Sequence, residues 1–201
     1  LQEKYSDPNI RYVTTVTKTD PGSKSGYSMV RVLNNKFQTS IKWNIKNEQM
    51  AECYNKGIRT FIYVDDIIGS GEQIINVLRE SPITTYKDIN VYVCVCAAHE
   101  QGINNIKAEF PSVKILTAEF IPIDTDIFGN IHEVLGYESR DALREWYENF
   151  MRTNGARGHF NIYGRGDLGL VYAFQDNTPN NSLPILHFHN DNLSMLLNKR
   201  G

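Results

Sequence analysis

Short apolar runs alternate with amphipathic segments along the first 120 residues of the chain. The apolar runs are rich in β-branched and aromatic residues and predict strands at 10–17, 59–64, 90–98 and 113–118. Apolar residues spaced by three and four positions predict helices at 27–36, 47–55, 72–79 and 101–110. This alternation predicts an α/β, Rossmann-like parallel sheet with helices on both faces.

The segments that follow the predicted strands are the candidate binding loops. In open parallel sheets, ligands bind beyond the carboxyl ends of the strands. Three loops occupy such positions, at 18–26, 65–72 and 98–101. Binding residues are therefore expected chiefly in these loops.

The last 80 residues have a different pattern. Ser139 to Arg152 predicts an amphipathic helix that Ser139 caps, and Leu168 to Phe174 predicts a strand. A polar, turn-forming stretch follows at 175–183. We expect one domain over 1–201, with a core at about 8–120 and a small C-terminal α+β cap at about 121–201.

Composition narrows the class of protein. Lys and Arg number 21 against 23 Asp and Glu, for a net charge of -2, which leaves no strong basic footprint for nucleic-acid binding. No apolar stretch approaches a membrane span, no signal peptide opens the chain, and three cysteines form no disulfide framework. We expect a cytoplasmic protein without a membrane partner. Because the chain begins at Leu1 rather than Met, we also expect that it is trimmed or part of a longer protein.

Two adjacent carboxylates, Asp65 and Asp66, follow the apolar run Phe61 to Val64. Carboxylates at the end of a buried strand are costly unless a partner satisfies them. A vicinal diol or a hydrated cation would do so through charge-assisted hydrogen bonds. The alternative is that both residues form a solvated turn.

A small-residue turn, Gly69-Ser70-Gly71, then opens the predicted helix at 72–79. Such turns expose backbone N–H groups at a helix N-terminus, where phosphate binds. A diol-binding pair and a phosphate loop on one segment suit a ribose 5-phosphate. The alternative is that Ser70 only caps the helix.

The segment FIYVDDIIGSGEQ, residues 61–73, resembles the signature of type I phosphoribosyltransferases. The resemblance implies that Asp65 and Asp66 are the catalytic carboxylates, which hold the ribose hydroxyls of phosphoribosyl diphosphate (PRPP). It implies that the loop around the 5-phosphate consists of Ile68, Gly69, Ser70, Gly71, Glu72 and Gln73. It also implies Mg²⁺ as the cofactor. Gln73 stands where the family usually has Thr.

Two further segments fit the same resemblance. The family's pyrophosphate-contacting loop would be the stretch after the first core strand, with Ser23, Lys24, Ser25 and Gly26. A flexible surface turn is the alternative for that stretch. His99 would lie near the ligand rim, although a lone histidine there is more often structural than catalytic.

The C-terminal segment NTPNNSLPI resembles a motif of the PRTase-CE group of bacterial conflict and defence systems, some of them retron-associated. Amide and hydroxyl contacts to a base would come from four residues of the cap segment, Asn177, Thr178, Asn180 and Asn181, which could equally pin the cap to the core. Capping of turns is the alternative role for each of these residues.

The expected function is a phosphoribosyltransferase-like protein that binds PRPP or a related nucleotide, as a component of an antiviral defence system with protein partners. A long mobile lid, which would exclude water from the reacting ribose, does not fit easily between residues 36 and 59. Phosphoribosyl transfer is therefore not the only interpretation. A non-catalytic nucleotide sensor, or an interaction module that gates a partner effector, remains the alternative.

Overall fold

The computed structural model describes residues 7–16, 24–37, 41–157, 161–175, 177–191, 193–194 and 196–197. The chain divides into two units, Leu1–Ile121 and Pro122–Gly201. Each unit has its own hydrophobic cluster.

Five parallel strands form one sheet in the first unit. Its strands are β1 (Ile10–Thr14), β2 (Asn44–Ile45), β3 (Thr60–Ile68), β4 (Asn90–His99) and β5 (Lys114–Ile121), and their order across the sheet is β2-β1-β3-β4-β5. All four pairings are parallel. The prediction of an α/β, Rossmann-like parallel sheet is therefore confirmed.

Four helices connect these strands: α1 (Lys24–Phe37), α2 (Met50–Asn55), α3 (Glu72–Arg79) and α4 (Glu100–Glu109). Short 3₁₀ turns lie at Ile41–Trp43, Asn47–Gln49 and Pro82–Thr84. The predicted bounds of α3 are confirmed at both ends. The predicted loop at 18–26 ends earlier than expected, because Lys24 to Gly26 already form the first turn of α1, while residues 17–23 lie outside the described part of the chain.

The strand order contains one reversal of direction. The chain passes from β1 outward to β2, then returns across β1 to β3 and continues to β4 and β5. With right-handed crossovers, this order places α1 on one face of the sheet and α2, α3 and α4 on the other. The carboxyl ends of β1 and β3 therefore flank the switch point, the place where such sheets bind ligands.

The core of the first unit lies between β3, β4 and the helices of one face. Phe61, Tyr63 and Val93 have no solvent exposure, and neither does Val77 of α3 or Ile106 of α4. Burying an apolar side chain of this size stabilises the fold by about 1.5–3 kcal/mol. This packing fixes β3 and α3 as rigid elements, and the segment between them carries the candidate site.

The second unit contains α5 (Ile127–Ile131) and α6 (Arg140–Thr153). Ser139 caps α6 as predicted, because its side chain accepts a hydrogen bond from the Ala142 N–H. Leu143, Tyr147 and Met151 of α6 pack with Phe128 of α5 in the cluster of this unit.

The predicted strand at Leu168 to Phe174 is wrong. The structure has only isolated bridges there, from Leu170 to Ser182 and from Phe174 to Asn177. Gly169 has a φ of 60°, so the chain leaves extended geometry just before Leu170. The hydrogen-bonded pair of Phe174 and Asn177 then ends the segment. An apolar run forms a strand only where a neighbouring strand pairs with it. This run has only one isolated bridge at Leu170 and one at Phe174.

Candidate functional site

The acidic pair lies inside β3, which extends to Ile68 rather than ending at Val64 as predicted. Asp65 is 2% exposed and Asp66 is half-buried. The Asp66 N–H donates to Asp65 Oδ1 at 3.0 Å, and the Ile67 N–H donates to Asp66 Oδ1 at 2.8 Å. These local hydrogen bonds hold both carboxylates at the carboxyl end of β3.

Gln73 links the first turn of α3 to the acidic pair. Its Nε2 donates to Asp65 Oδ2 at 2.8 Å and to the Thr15 carbonyl oxygen at 3.3 Å. Thr15 Oγ1 in turn donates to the Val64 carbonyl oxygen at 3.3 Å. The ends of β1 and β3 and the start of α3 are thus held together, and the buried Asp65 carboxylate gains a donor that offsets its desolvation.

Replacing Gln73 by Met should destabilise the protein by about 1–3 kcal/mol, the cost of removing a donor from a buried charged acceptor. Met keeps the length of the side chain and removes only the amide. Urea denaturation measures the change. The same substitution at exposed Gln175 is the matched control and should change the free energy of unfolding by less than about 0.5 kcal/mol. Equal effects at the two positions would show that the hydrogen bonds of Gln73 contribute nothing.

The turn between β3 and α3 is shaped by Gly71. Its φ of 83° is in the left-handed region, and its carbonyl accepts the Ile75 N–H at 2.9 Å to start α3. Asn105 Nδ2 of α4 donates to the Ser70 carbonyl at 3.0 Å. The turn is therefore held from both sides, by its own helix and by α4.

Gly102 of α4 lies directly against this turn. A Cβ atom built on Gly102 would overlap the Gly69 carbonyl oxygen and lie 2.6 Å from Ile68 Cγ2 and 2.9 Å from the Gly71 nitrogen. A Cβ on Gly71 would lie 2.7 Å from the Gly102 carbonyl oxygen. The two glycines thus allow the turn and α4 to approach at backbone distance.

The N-terminus of α3 points toward the same end of the sheet as the acidic pair. Backbone N–H groups in the first turn of a helix are not used by its own hydrogen bonds, and the helix dipole favours an anion there. The Glu72 side chain in this turn is exposed, so solvent screens its charge. The turn from Ile68 to Gln73 therefore suits an anion, and its contact with a phosphate stays a prediction.

The predicted pyrophosphate loop is only partly described. Ser23 lies outside the described residues, and of Lys24, Ser25 and Gly26 only the helical backbone of α1 is described. Because α1 follows β1 as α3 follows β3, its N-terminus lies at the same carboxyl edge of the sheet. The contact of these four residues with pyrophosphate stays a prediction.

His99 ends β4 and caps α4. Its Nδ1 accepts the Gln101 N–H at 3.2 Å, so the neutral ring carries its proton on Nε2. Burial lowers the pKa of His99, and the nearby Glu100 carboxylate raises it by a smaller amount. The geometry gives His99 a capping role, and its place at the ligand rim stays a prediction.

The lowered pKa of His99 predicts a pH effect on stability. The unfolded chain binds the proton first as pH falls below about 6.5, so the free energy of unfolding should decline there by at most about 1.4 kcal/mol per pH unit for this one group. His99→Asn keeps a capping acceptor and should remove that part of the slope. Denaturation between pH 7.5 and pH 5 measures it, with His189→Asn, at an exposed position, as the control. If the free energy of unfolding of His99→Asn still depends on pH as steeply as that of wild type, His99 is not the group responsible.

Cys96 of β4 is a neighbour of the acidic pair. Burial raises the pKa of the Cys96 thiol, and the negative charges of Asp66 and Asp65 raise it further. The thiol therefore stays protonated and weakly reactive near neutral pH. The acidic pair on β3 therefore has β4 as a neighbour on one side and β1 on the other.

Hydrogen bonds join residues 177–181 to Arg165 and Phe174 within the second unit. The Phe174 N–H donates to the Asn177 carbonyl at 2.8 Å, the Arg165 N–H donates to the Asn180 carbonyl at 2.7 Å, and Asn181 Nδ2 donates to the Arg165 carbonyl at 2.8 Å. Thr178 is buried. These contacts give the segment a structural role within its unit, and its contact with a base stays a prediction.

The structure thus brings together Asp65, Asp66 and the turn that ends at Gln73. Sequence reasoning missed three residues that support them, Thr15, Gly102 and Asn105. Thr15 could have been found from the parallel topology, because it follows β1, the strand next to β3. Gly102 and Asn105 carried no local signal, because their role depends on how α4 packs.

Within the described residues, no group of three or more His, Cys, Asp or Glu side chains is placed to hold a metal ion. In the same part of the chain, no helix has the length and apolar character needed to cross a membrane.

A parallel sheet with an acidic pair and a small-residue turn at its switch point is the architecture of a phosphoribosyltransferase-like protein. The sequence profile of the PRTase-CE family matches residues 2–199, and the chain belongs to that family. No curated protein matches the sequence. Among solved structures, the AQ2163 protein from Aquifex aeolicus aligns with 57% of this chain and 55% of its own at 13% identity, with a TM-score of 0.39. The alignment thus spans little more than half of that relative.

Proposed function

We propose that this chain binds the ribose 5-phosphate part of PRPP, or of a related nucleotide, at the carboxyl ends of β1 and β3. The observation that supports it is the position of Asp65 and Asp66 at the switch point of the sheet, beside the N-terminus of α3. A diol-binding pair and an anion-binding turn lie there on one continuous segment.

The two ends of the segment suit different parts of the ligand. The ribose hydroxyls would donate to the acidic pair, chiefly to the less buried Asp66, in charge-assisted hydrogen bonds. The 5-phosphate would accept from backbone N–H groups of the turn at 69–73. Gln73, in place of the family's usual Thr, gives up a hydroxyl contact to phosphate and instead orients Asp65.

Magnesium fits the donors of this proposal. Mg²⁺ prefers one or two carboxylates together with substrate phosphate oxygens, and Asp65 and Asp66 supply the carboxylates. When bound, the ion would neutralise charge on the pyrophosphate group. The protein's own residues would orient the ribose for displacement at its anomeric carbon, where a nucleophile forms a bond as pyrophosphate leaves with the electron pair.

Calorimetry with PRPP in the presence of Mg²⁺ tests the proposal. Saturable binding is expected, with ribose 5-phosphate competing for the same site. An absence of PRPP binding contradicts the proposal. Release of pyrophosphate with a panel of bases and nucleosides then distinguishes an enzyme from a sensor or an interaction module, which would bind without turnover.

The place of the protein in antiviral defence is a separate part of the proposal. Membership of the PRTase-CE family supports it, as does the segment at 177–185, and a retron-associated system is one such setting. Phage plating on cells that carry the native locus tests it. Protection should be lost with Asp66→Asn and kept with Asp88→Asn, an exposed carboxylate just before the amino end of β4. Equal protection by the two variants contradicts a role for the site in defence.

A further inference from the structure

A surface of aromatic, aliphatic and acidic side chains lies on the second unit, with Tyr137 and Phe150 half-buried and its other members exposed. Its apolar members are Val134, Leu135, Tyr137, Trp146 and Phe150, and its acidic members are Glu133, Glu138 and Glu145; we call it the acidic aromatic patch. Tyr137 and Trp146 have ring centroids 5.9 Å apart, and Trp146 stacks with Phe150 at 5.4 Å. The turn at 132–138 and α6 thus meet in one surface.

Backbone hydrogen bonds fix the conformation of the turn that exposes Val134 and Leu135 to solvent. The Tyr137 N–H donates to the His132 carbonyl at 2.8 Å and the Gly136 N–H to the Glu133 carbonyl at 3.0 Å, with Gly136 at a φ of 77°. This is the Schellman arrangement at a helix end. Val134 is 84% exposed and Trp146 is 48% exposed. Ordered apolar side chains that stay exposed together mark an interaction surface.

The charge of the patch is negative and not offset by the arginines of α6. Arg140 and Arg144 pair with Asp126, and Arg152 pairs with Glu148. The three glutamates of the patch are all exposed, and among the described residues none of them is in an ion pair. The patch therefore concentrates three carboxylates in a chain whose net charge is only -2.

We propose that the acidic aromatic patch docks a basic amphipathic helix of a partner protein. The apolar face of such a helix would cover Val134, Leu135 and Trp146. Its Lys and Arg side chains would pair with the glutamates and stack on Trp146 through cation–π contacts.

The negative charge of the patch disfavours two other occupants, a second copy of the chain and a lipid surface. In a two-fold dimer the same patch faces itself, which would bring the glutamates of both copies together without a counter-charge. An anionic lipid surface would repel the glutamates in the same way. A basic helix satisfies both the apolar and the charged groups of the patch.

Fluorescence anisotropy tests the proposal with the full chain and a labelled synthetic helix of leucine and lysine at amphipathic spacing. The lysine peptide should bind, and its counterpart with glutamate in place of lysine should not. Trp146→Ala should weaken binding about tenfold, the loss of a typical interface anchor. Glu133→Lys with Glu145→Lys, at exposed positions that leave the core intact, should weaken it at least as much.

The matched control reverses the same amount of charge elsewhere, with Glu48→Lys and Asp124→Lys at exposed positions. It should leave the affinity within about twofold, since solvent screens distant surface charges. The proposal is overturned if the peptide does not bind, or if the control weakens binding as much as the patch variants. A dimer in sedimentation that Trp146→Ala converts to monomer would also overturn it, because the occupant would then be a second copy.

Discussion

Asp66→Asn should weaken PRPP binding by about tenfold to a hundredfold, and the double substitution with Asp65→Asn should bring it below detection. Each hydrogen bond from a ribose hydroxyl to a carboxylate contributes about 1.5–3 kcal/mol, and tenfold in affinity is about 1.4 kcal/mol. Asparagine keeps the oxygen that accepts the Ile67 N–H, so the backbone at the end of β3 should keep its shape. Calorimetry with PRPP and Mg²⁺ measures the loss.

The two carboxylates differ in what else they do. Asp65 also accepts from Gln73 Nε2, so Asp65→Asn places two amide groups face to face unless Gln73 turns its amide over. Asp66→Asn carries no such cost and is therefore the cleaner variant. The matched control is Asp88→Asn, which should bind PRPP as wild type does. Full binding by the double variant would remove the acidic pair from the site.

Gly102→Ala should both destabilise the protein and weaken binding, although Gly102 is not among the residues proposed to touch the ligand. The added methyl would overlap the Gly69 carbonyl oxygen and crowd Ile68 and the Gly71 nitrogen, so the turn between β3 and α3 must move. Overpacking of this kind costs about 1–3 kcal/mol. Alanine recovers at most about 1 kcal/mol as the better helix former, so the clash wins. Thermal unfolding and calorimetry measure the two effects.

Gly129→Ala isolates the contribution of helix propensity. Gly129 lies in α5 with its nearest outside atom, Arg140 Cδ, at 3.9 Å and without a positive φ. The substitution should leave stability unchanged or slightly raised. If Gly102→Ala also leaves stability unchanged, the close approach of α4 to the turn between β3 and α3 contributes nothing to the free energy of unfolding.

The sheet and the segment at its switch point could be predicted from the sequence because each carries its signal locally. Four apolar residues before Asp65 indicate a buried strand, and Gly69-Ser70-Gly71 before an amphipathic run indicates the start of α3. The run at Leu168 to Phe174 shows the limit of the same reasoning. Its composition is strand-like, but whether a ladder forms depends on a partner strand that no local pattern reveals.

The supporting contacts of the site could not be predicted in the same way. Gln73 reaches Asp65 and the Thr15 carbonyl across 8 and 58 residues of sequence. The packing of Gly102 on the turn between β3 and α3 depends on how α4 lies on the sheet. From the sequence, Gln73 only departs from a family pattern. In the structure, that departure supplies a hydrogen bond to the buried carboxylate.

A crystal structure of the protein with PRPP and Mg²⁺ is the sharpest test of the ribose-phosphate site. The 5-phosphate should lie against the backbone of residues 69–73, with the ribose hydroxyls within hydrogen-bonding distance of Asp66. Ligand bound elsewhere on the protein, with the turn at 69–73 and the acidic pair untouched, would contradict the proposed site.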